Sequence, residues 1–305
     1  MQSLKLNKLV KILNIEDVLF LDQVDLSAYS TMKLKATGSL IEVQSKVALK
    51  KVLTTLLKEE IDYRVLGWGA NQILPIHSDI PYLKINFPFN LEDLKSAKSS
   101  GEVYVLPASL GLNTLTAHAQ KFGLSGWEVF TGIPATLGGA VFMNAGTALG
   151  EIGSLIKKVK FFTKQAEEKE VIIEKGSFSY RKNHFLNTGD VIYEVEMVHH
   201  GFNPEISTKI KNYMDYRMRT QPLKAKTCGC AFKNISSSIQ AGHFLDLVGL
   251  KGFTYKGLRI SPIHANFLEN LGLASDQDVK EFLSVIEREV FLQYGVTFDL
   301  EIKLS

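Results

Sequence analysis

The stretch Thr131–Gly150, TGIPATLGGAVFMNAGTALG, holds five glycines, with Gly126 just upstream. Glycine alone tolerates positive φ freely and lets another group lie directly on the backbone. The stretch is also apolar. Ile133, Leu137, Val141, Phe142 and Met143 belong in an interior, so a solvated linker is a poor reading. Two readings stand. One is a buried backbone surface against which a large flat or phosphorylated ligand lies. The other is a close-packed turn between core elements.

Upstream, the pattern predicts a helix over Leu112–Phe122, ended by Gly123. Val103–Pro107, Tyr82–Ile85 and Arg64–Leu66 read as strands. The last of these runs into Gly67-Trp68-Gly69-Ala70-Asn71. Glycines directly after a strand let successive N–H groups converge on a phosphate. The same pattern alone also fits a plain turn. Ser45 caps a helix reaching Leu57, with an apolar face at Leu49, Val52, Leu53 and Leu56. Met32–Lys35 and Ile41–Val43 read as strands. Residues 1–30 form a lead-in, helical at Leu6, Leu9, Val10 and Leu13 and then polar.

Downstream, Val159–Thr163 and Glu170–Ile173 read as paired strands around a charged turn, followed by a strand over Val191–Val198. Strands mix with few helices and no regular βαβ alternation, which is an α+β pattern. The break His199–Pro204 sets a domain boundary, giving domains over 31–201 and 205–305. Beyond it come a helix over Ile206–Arg219, the turn Cys228–Asn234 (CGCAFKN), a helix over Gly242–Val248 and a strand over His264–Leu268. Ser275 and Asp278 make a capping box for a helix with its stripe at Val279, Phe282, Leu283, Ile286 and Val290, ended by Gly295. A last strand, Val296–Leu304, carries Glu301.

The length of 305 residues predicts about two domains. A net charge of +3 is too small to argue for nucleic acid, yet does not oppose an anionic small substrate. No run of about 18 apolar residues marks a membrane span. The N-terminus lacks a secretory h-region. The two cysteines, Cys228 and Cys230, are too close for an easy disulfide and lack a second pair for zinc. A reducing, cytoplasmic location without a bound metal is the expectation.

Several residues could carry chemistry. Tyr180 stands beside Arg181, whose planar fork suits a carboxylate or phosphate, although a surface ion pair is the blander use. Cys230 lies between Gly229 and Ala231, where an inert small hydrophobe is equally in keeping. Glu301 sits among Phe298, Leu300, Ile302 and Leu304. Such a carboxyl is paired, protonated or turned to solvent. His264 and Asn266 suit capping, and His199-His200 reads as surface.

Together these segments resemble the UDP-N-acetylenolpyruvoylglucosamine reductases, the MurB family of UDP-N-acetylmuramate dehydrogenases. The marks run in order. They are the Thr31–Gly38 lead-in, Gly67–Asn71, Gly132–Gly150 with Glu151-Ile152, Tyr180-Arg181, Gln221-Pro222, Gly229–Asn234, His264–Phe267 and Gly295–Glu301. The resemblance spans about residues 27–303. It implies a two-subdomain FAD-binding region of the vanillyl-alcohol-oxidase/PCMH type followed by an α+β substrate-binding domain. It also implies a monomer that binds neither nucleic acid nor membrane.

The implied reaction reduces UDP-N-acetylglucosamine enolpyruvate to UDP-N-acetylmuramate, with FAD carrying hydride from NADPH. The match assigns FAD to Gly67, Trp68, Gly69, Ala70, Asn71, Thr131, Gly132, Ile133, Pro134, Gly138, Gly139, Asn144, Ala145 and Gly146, with Asn144 and the glycine N–H groups as donors. It assigns substrate to Tyr180, Lys233, Asn234, His264 and Asn266, and catalysis to Arg181, Cys230 and Glu301. Arg181 and Glu301 would stabilise charge developing on the enolpyruvyl group, and Cys230 would protonate it.

Departures are visible. Cys230 stands where a serine is common. A thiol, ordinarily near 8.5, is the stronger acid, though nearby Lys226 or Lys233 could leave a thiolate that cannot donate. Trp68 and Ala70 replace glycine and serine, and Phe142 replaces tyrosine. No long insertion precedes Ile206, so the chain resembles the shorter subtype without the substrate-clamping loop. No GxGxxG with a following acidic residue appears, which fits an NADPH that only visits the flavin. The rivals are another FAD oxidoreductase acting on an alcohol or lactone, and a non-catalytic flavin or nucleotide-sugar binder.

Overall fold

The computed structural model describes Leu13 and residues 15–96, 102–236, 238–272 and 274–304. The helical pattern through Leu6, Leu9 and Val10 lies outside them. In chain order the strands are β1 (Val18–Asp25), β2 (Thr37–Val43), β3 (Arg64–Val65), β4 (Gln72–Ile73), β5 (His77–Ile85), β6 (Tyr104–Pro107), β7 (Gly146–Thr147), β8 (Gly150–Glu151), β9 (Ile156–Phe162), β10 (Glu168–Ile172), β11 (Phe178–Ser179), β12 (Lys182–Asn183), β13 (Val191–Met197), β14 (Thr254–Tyr255), β15 (Leu258–Ile260), β16 (Leu268–Asn270) and β17 (Lys303–Leu304). The α-helices are α1 (Lys46–Lys58), α2 (Leu112–Phe122), α3 (Leu137–Met143), α4 (Ile206–Thr220), α5 (Ala241–Leu247) and α6 (Asp276–Tyr294).

The helices begin and stop where the sequence supplies caps. Ser45 accepts from the Ala48 N–H at the head of α1, which buries Ala48, Leu49, Val52, Leu53 and Leu56. Gly123 ends α2 at φ 68. Ser275 and Asp278 form the capping box of α6, whose stripe of Val279, Phe282, Leu283, Ile286 and Val290 is buried.

The chain divides into two compact units. The first runs to Gln23 and takes in Ser39–Gly67 and Asp79–Met214. The second takes in Val24–Gly38, Trp68–Ser78 and Asp215–Ser305. The compositional break at His199–Pro204 thus falls inside the first unit.

In the first unit, α1 packs with Ile41, Val43 and Leu83 of the sheet ordered β1-β2-β5-β3. The sheet ordered β10-β9-β13-β6 is antiparallel throughout. Its residues Leu106, Val159 and Val195 share a core with Leu115, Trp127, Phe130, Leu137 and Val141. In the second unit, β14-β15-β16 packs with α5 and α6 around Phe232, Leu245, Leu258, Ile260 and Phe282.

Five local expectations are corrected. Val18–Asp25 is a strand, not part of a polar lead-in. Met32–Lys35 pairs with no strand among the described residues. Lys33 is left-handed at φ 53, and the Asn270 amide donates to the Met32 and Lys33 carbonyls (2.9 and 3.0 Å) in place of a ladder. His264–Phe267 is a turn leading into β16, and of Val296–Leu304 only Lys303–Leu304 forms a ladder. His199 is buried, with its ring 4.9 Å from Phe202 and 6.0 Å from Tyr104. His200, Phe202 and Pro204 of the same break are exposed, so only His199 departs from the surface reading.

Candidate active site

The candidate residues fall into two groups, one in each unit. In the first unit the glycine-rich stretch is wound around α3. Thr131 is fully buried and spends its hydroxyl on the Glu128 carbonyl (2.7 Å). Gly132 follows at φ 73, and Thr136 caps α3. The first N–H groups of α3 are already engaged: Leu137 with Leu110 O (2.7 Å), Gly138 with Ala108 O (2.8 Å), Gly139 with Thr136 Oγ1 (3.2 Å). Asn144 caps its other end at φ 46. Asn144 donates to Glu151 Oε2 (2.7 Å) and the Ser179 carbonyl (3.0 Å), and accepts from the Gly153 N–H (3.0 Å).

The N–H groups of Gly138 and Gly139 and the Asn144 amide, expected among the donors to a ligand, are engaged within the fold in this structure. What the stretch leaves open is apolar. Pro134 and Gly139 are exposed and Ile133 partly so. A Cβ on Gly139 would meet only Thr136 Oγ1, at 3.2 Å. A flat ring system such as a flavin fits against such a surface. Gly67 comes close from the end of β3, where a Cβ would sit 2.8 Å from Thr136 Oγ1. Ala145 and Gly146 lead from α3 into β7.

Arg181 reaches the stretch on a hairpin. Tyr180 and Arg181 form the two-residue loop between β11 and β12, and Arg181 is left-handed at φ 55. That conformation costs about 1–2 kcal/mol for a residue with a Cβ. The hairpin is pinned well enough to hold it. Asn183 Nδ2 donates to Phe142 O (2.7 Å), the Asn144 amide takes Ser179 O, and Phe178 lies on Gly153. Arg181 Nη2 donates to Gly146 O (3.1 Å), and its guanidinium carbon lies 5.2 Å from the Tyr180 ring centre. Tyr180 is exposed. Asn183 was not singled out from the sequence, and Glu151 was quoted only as part of the family pattern, with no role. Asn183 bonds a residue 41 positions away, and no short motif shows such a pairing.

In the second unit, Trp68 is partly exposed and Gly69 takes φ 58, with the Tyr29 carbonyl too close for a Cβ. Ala70 leads to Asn71, which grips the terminal strand. Asn71 Nδ2 donates to Glu301 O (3.0 Å), and the Lys303 N–H donates to Asn71 O (2.9 Å). The pairing continues as the parallel ladder of β4 and β17. The Glu301 N–H donates to Ala231 O (2.8 Å), next to Cys230. The structure therefore brings the backbones of the Cys230 and Glu301 segments together.

Cys230 is half-buried and makes a bridge to Phe267. Cys228 is fully buried, and burial pushes its thiol up to about 12. The two cysteines are thus chemically distinct. The Lys233 N–H bonds to Asp299 O (2.8 Å), and Asn234 Oδ1 accepts from the Ala241 N–H at the head of α5 (3.0 Å). His264 Nδ1 accepts from the Asn266 N–H (3.3 Å), so a neutral ring carries its proton on Nε2. Burial, then Lys251, holds the His264 pKa below its ordinary value. Asn266 is buried and bonds Phe232 through both ends of its amide (2.8 and 3.0 Å). No group of three or more metal-ligating side chains occurs among the described residues.

Comparison with known proteins bears on both groups. Residues 221–305 match the family model for the UDP-N-acetylenolpyruvoylglucosamine reductase C-terminal domain. The UDP-N-acetylenolpyruvoylglucosamine reductase of Prochlorococcus marinus (strain NATL2A) is 30% identical over 282 residues, covering 92% of this chain and 96% of that protein. The chain belongs to the UDP-N-acetylenolpyruvoylglucosamine reductase family. The reductase of Clostridioides difficile (strain 630) is likewise 30% identical over 270 residues, with 87% and 86% covered. The crystal structure of MurB from Thermus caldophilus shares the α+β fold at a TM-score of 0.76. It is 30% identical, and the match covers 94% of this chain and 98% of that one. The family-model match contains Cys230, Lys233, Asn234, His264, Asn266 and Glu301.

Proposed function

We propose that the chain is an FAD-dependent oxidoreductase that reduces UDP-N-acetylglucosamine enolpyruvate to UDP-N-acetylmuramate with NADPH, a cytoplasmic step of peptidoglycan synthesis. One observation carries the reading. In a member of this reductase family, the Cys230 and Glu301 segments are joined by the Glu301 N–H to Ala231 O bond. No helix among the described residues is long and apolar enough to cross a membrane.

FAD, when bound, supplies the hydride. The residues that would hold it are Gly67–Asn71 and the open surface at Ile133, Pro134 and Gly139. Arg181 holds a fixed cation for the substrate carboxylate, oriented by Gly146 O and by its cation–π contact with Tyr180. Negative charge grows on the enolpyruvyl group as hydride arrives at C3. Arg181 and a Glu301 carboxyl that donates its proton in a hydrogen bond stabilise that charge. Cys230 gives its proton to C2, which completes the saturated lactyl ether, and the thiolate recovers a proton from solvent. Tyr180, Lys233, Asn234 and His264 line the substrate.

The test is a visible spectrum of the purified protein, taken before and after anaerobic NADPH and again after the enolpyruvyl substrate. A flavin band that bleaches and then returns is the expected result. Bleaching without return on substrate would sink the substrate assignment. A colourless protein that binds no added FAD would sink the cofactor.

A further inference from the structure

We propose that Asn266 is a positioning residue for Cys230 and not a ligand for substrate. The inference rests on the reading of Cys230 as proton donor.

Asn266 is only 3% exposed, so its amide is not presented to a bound molecule. It makes four hydrogen bonds. Its carbonyl accepts from the Ala231 N–H (2.8 Å), and its N–H donates to His264 Nδ1 (3.3 Å). Its side-chain Oδ1 accepts from the Phe232 N–H (3.0 Å), and Nδ2 donates to Phe232 O (2.8 Å). The Cys230–Phe267 bridge is an isolated one, and the chain turns away at His264–Asn266. The Asn266 carboxamide takes the place of the missing peptide group. It offers one donor and one acceptor to Phe232, as a neighbouring strand would.

The other flank of Cys230 is entered through a glycine. Gly229 is left-handed at φ 83, and a Cβ there would meet nothing within 4 Å. The hold that Asn266 supplies is on the C-terminal side of the thiol. On that side the segment lies between Asn266 and the terminal strand, through Glu301 N–H to Ala231 O and Lys233 N–H to Asp299 O. Without the Asn266 amide, Phe232 loses both hydrogen-bond partners on one side, and the segment carrying Cys230 is held only by its backbone bonds at Ala231 and Lys233 and is free to shift. A shift of about 1 Å in a proton donor costs about 100-fold in the step it serves.

The experiment uses the full-length, flavin-loaded protein and the variants Asn266→Ala and Asn266→Ser. Five quantities are read: flavin content, anaerobic reduction by NADPH, reoxidation by the enolpyruvyl substrate, steady-state turnover (kcat and KM), and alkylation of Cys230 by iodoacetamide, followed by peptide mass spectrometry. Flavin content, reduction rate and substrate KM are expected to match the wild type. Reoxidation falls about 100-fold, and Cys230 alkylates severalfold faster as its segment loosens. Should Asn266→Ala not fold, Asn266→Ser decides.

Three results overturn the proposal. In the first, a folded variant reoxidises and alkylates as the wild type does. In the second, KM rises while kcat and alkylation stay put, which is the behaviour of a substrate ligand. In the third, both variants lose fold and flavin together, which would make Asn266 a residue of the fold alone. If the wild-type protein is not reoxidised by the substrate, the proposed reaction has failed, and the alkylation comparison still judges Asn266.

Discussion

Asn144 and Ser179 are joined by a 3.0 Å hydrogen bond from the Asn144 amide to the Ser179 carbonyl, which ties the glycine-rich stretch to the hairpin carrying Arg181. The bond belongs to a set. Asn144 is 1% exposed and also serves Glu151 and Gly153. Asn144→Ala would remove three hydrogen bonds, to Glu151 Oε2, the Ser179 carbonyl and the Gly153 N–H, at about 0.5–1.5 kcal/mol each. It would also place a Cβ-bearing residue without a local hydrogen bond at φ 46. The expected loss in denaturant-measured stability is about 3 kcal/mol or more. Asn144→Gly removes only the conformational part and should be about 1 kcal/mol milder. Equal losses for the two variants would show that the backbone at this position is not strained.

Gly138 and Gly139 are neighbours with opposite constraints. A Cβ on Gly138 would sit 2.9 Å from Ala108 Cβ and 3.2 Å from Ala108 O, whereas one on Gly139 faces open space beyond Thr136 Oγ1. Gly138→Ala should cost about 1–3 kcal/mol of stability through overpacking. Gly139→Ala should leave stability unchanged within about 1 kcal/mol, since alanine favours the helix. Gly139→Val should lower flavin retention at an unchanged melting temperature, read by absorbance after gel filtration. A Gly139→Val protein that keeps its flavin would place the ring elsewhere.

Cys230 and Cys228 separate by burial. The fully buried Cys228, with its thiol pushed up to about 12, should resist alkylation in the folded protein. Cys230 should react and be protected by substrate. Cys230→Ser should keep substantial turnover, because a hydroxyl can still pass a proton. Cys230→Ala should still let NADPH reduce the flavin, while substrate-dependent reoxidation falls by about 100-fold or more, the usual range for loss of a general acid. Normal turnover of Cys230→Ala would remove the thiol from the mechanism.

How much of this was legible follows from the range of each interaction. The helices α1, α2 and α6 were readable because caps and apolar stripes act within a few residues, as with Ser45, Gly123 and Ser275 with Asp278. Met32–Lys35 misled because Met32, Leu34 and Ala36 are buried in alternation, as in any extended chain. Its hydrogen-bond partner is a side chain, Asn270, some 238 positions away. Arg181, Cys230 and Glu301, the residues proposed to carry the chemistry, stand out by type and by family pattern. The contacts around them do not. Asn144 and Asn266 were read as ligand residues and Asn183 was given no role, yet all three bond backbone groups, which leave no mark in a sequence. Asn71 was read as a ligand residue, and its bond to Glu301, 230 positions on, is likewise invisible before folding.

Two histidines set a pH dependence of stability. Burial, then Lys121, holds the His118 pKa below its ordinary value, among the rings of Phe122 (4.6 Å) and Trp127 (6.0 Å). Burial, then Lys251, does the same for His264, whose Nδ1 must stay unprotonated to accept from Asn266. The unfolded chain takes up these protons near pH 6.5 and the folded chain only below it. Stability therefore falls as pH drops below about 6.5, by at most about 1.4 kcal/mol per pH unit for each histidine, and levels off once the folded values are passed. Carboxylates act in a lower window. Burial pushes Glu42 up, but the bonds from Lys84 and Asn86 outweigh it and leave Glu42 below the usual range. Its contribution is present above the unfolded value and is lost only in more acid solution. His118→Phe keeps the ring packing and removes one titration, so the slope of stability between pH 6.5 and 5 should fall to about half. Urea unfolding across that range, with His264→Phe as the second arm, measures it. A slope untouched by either substitution would show that neither ring is held neutral by the fold.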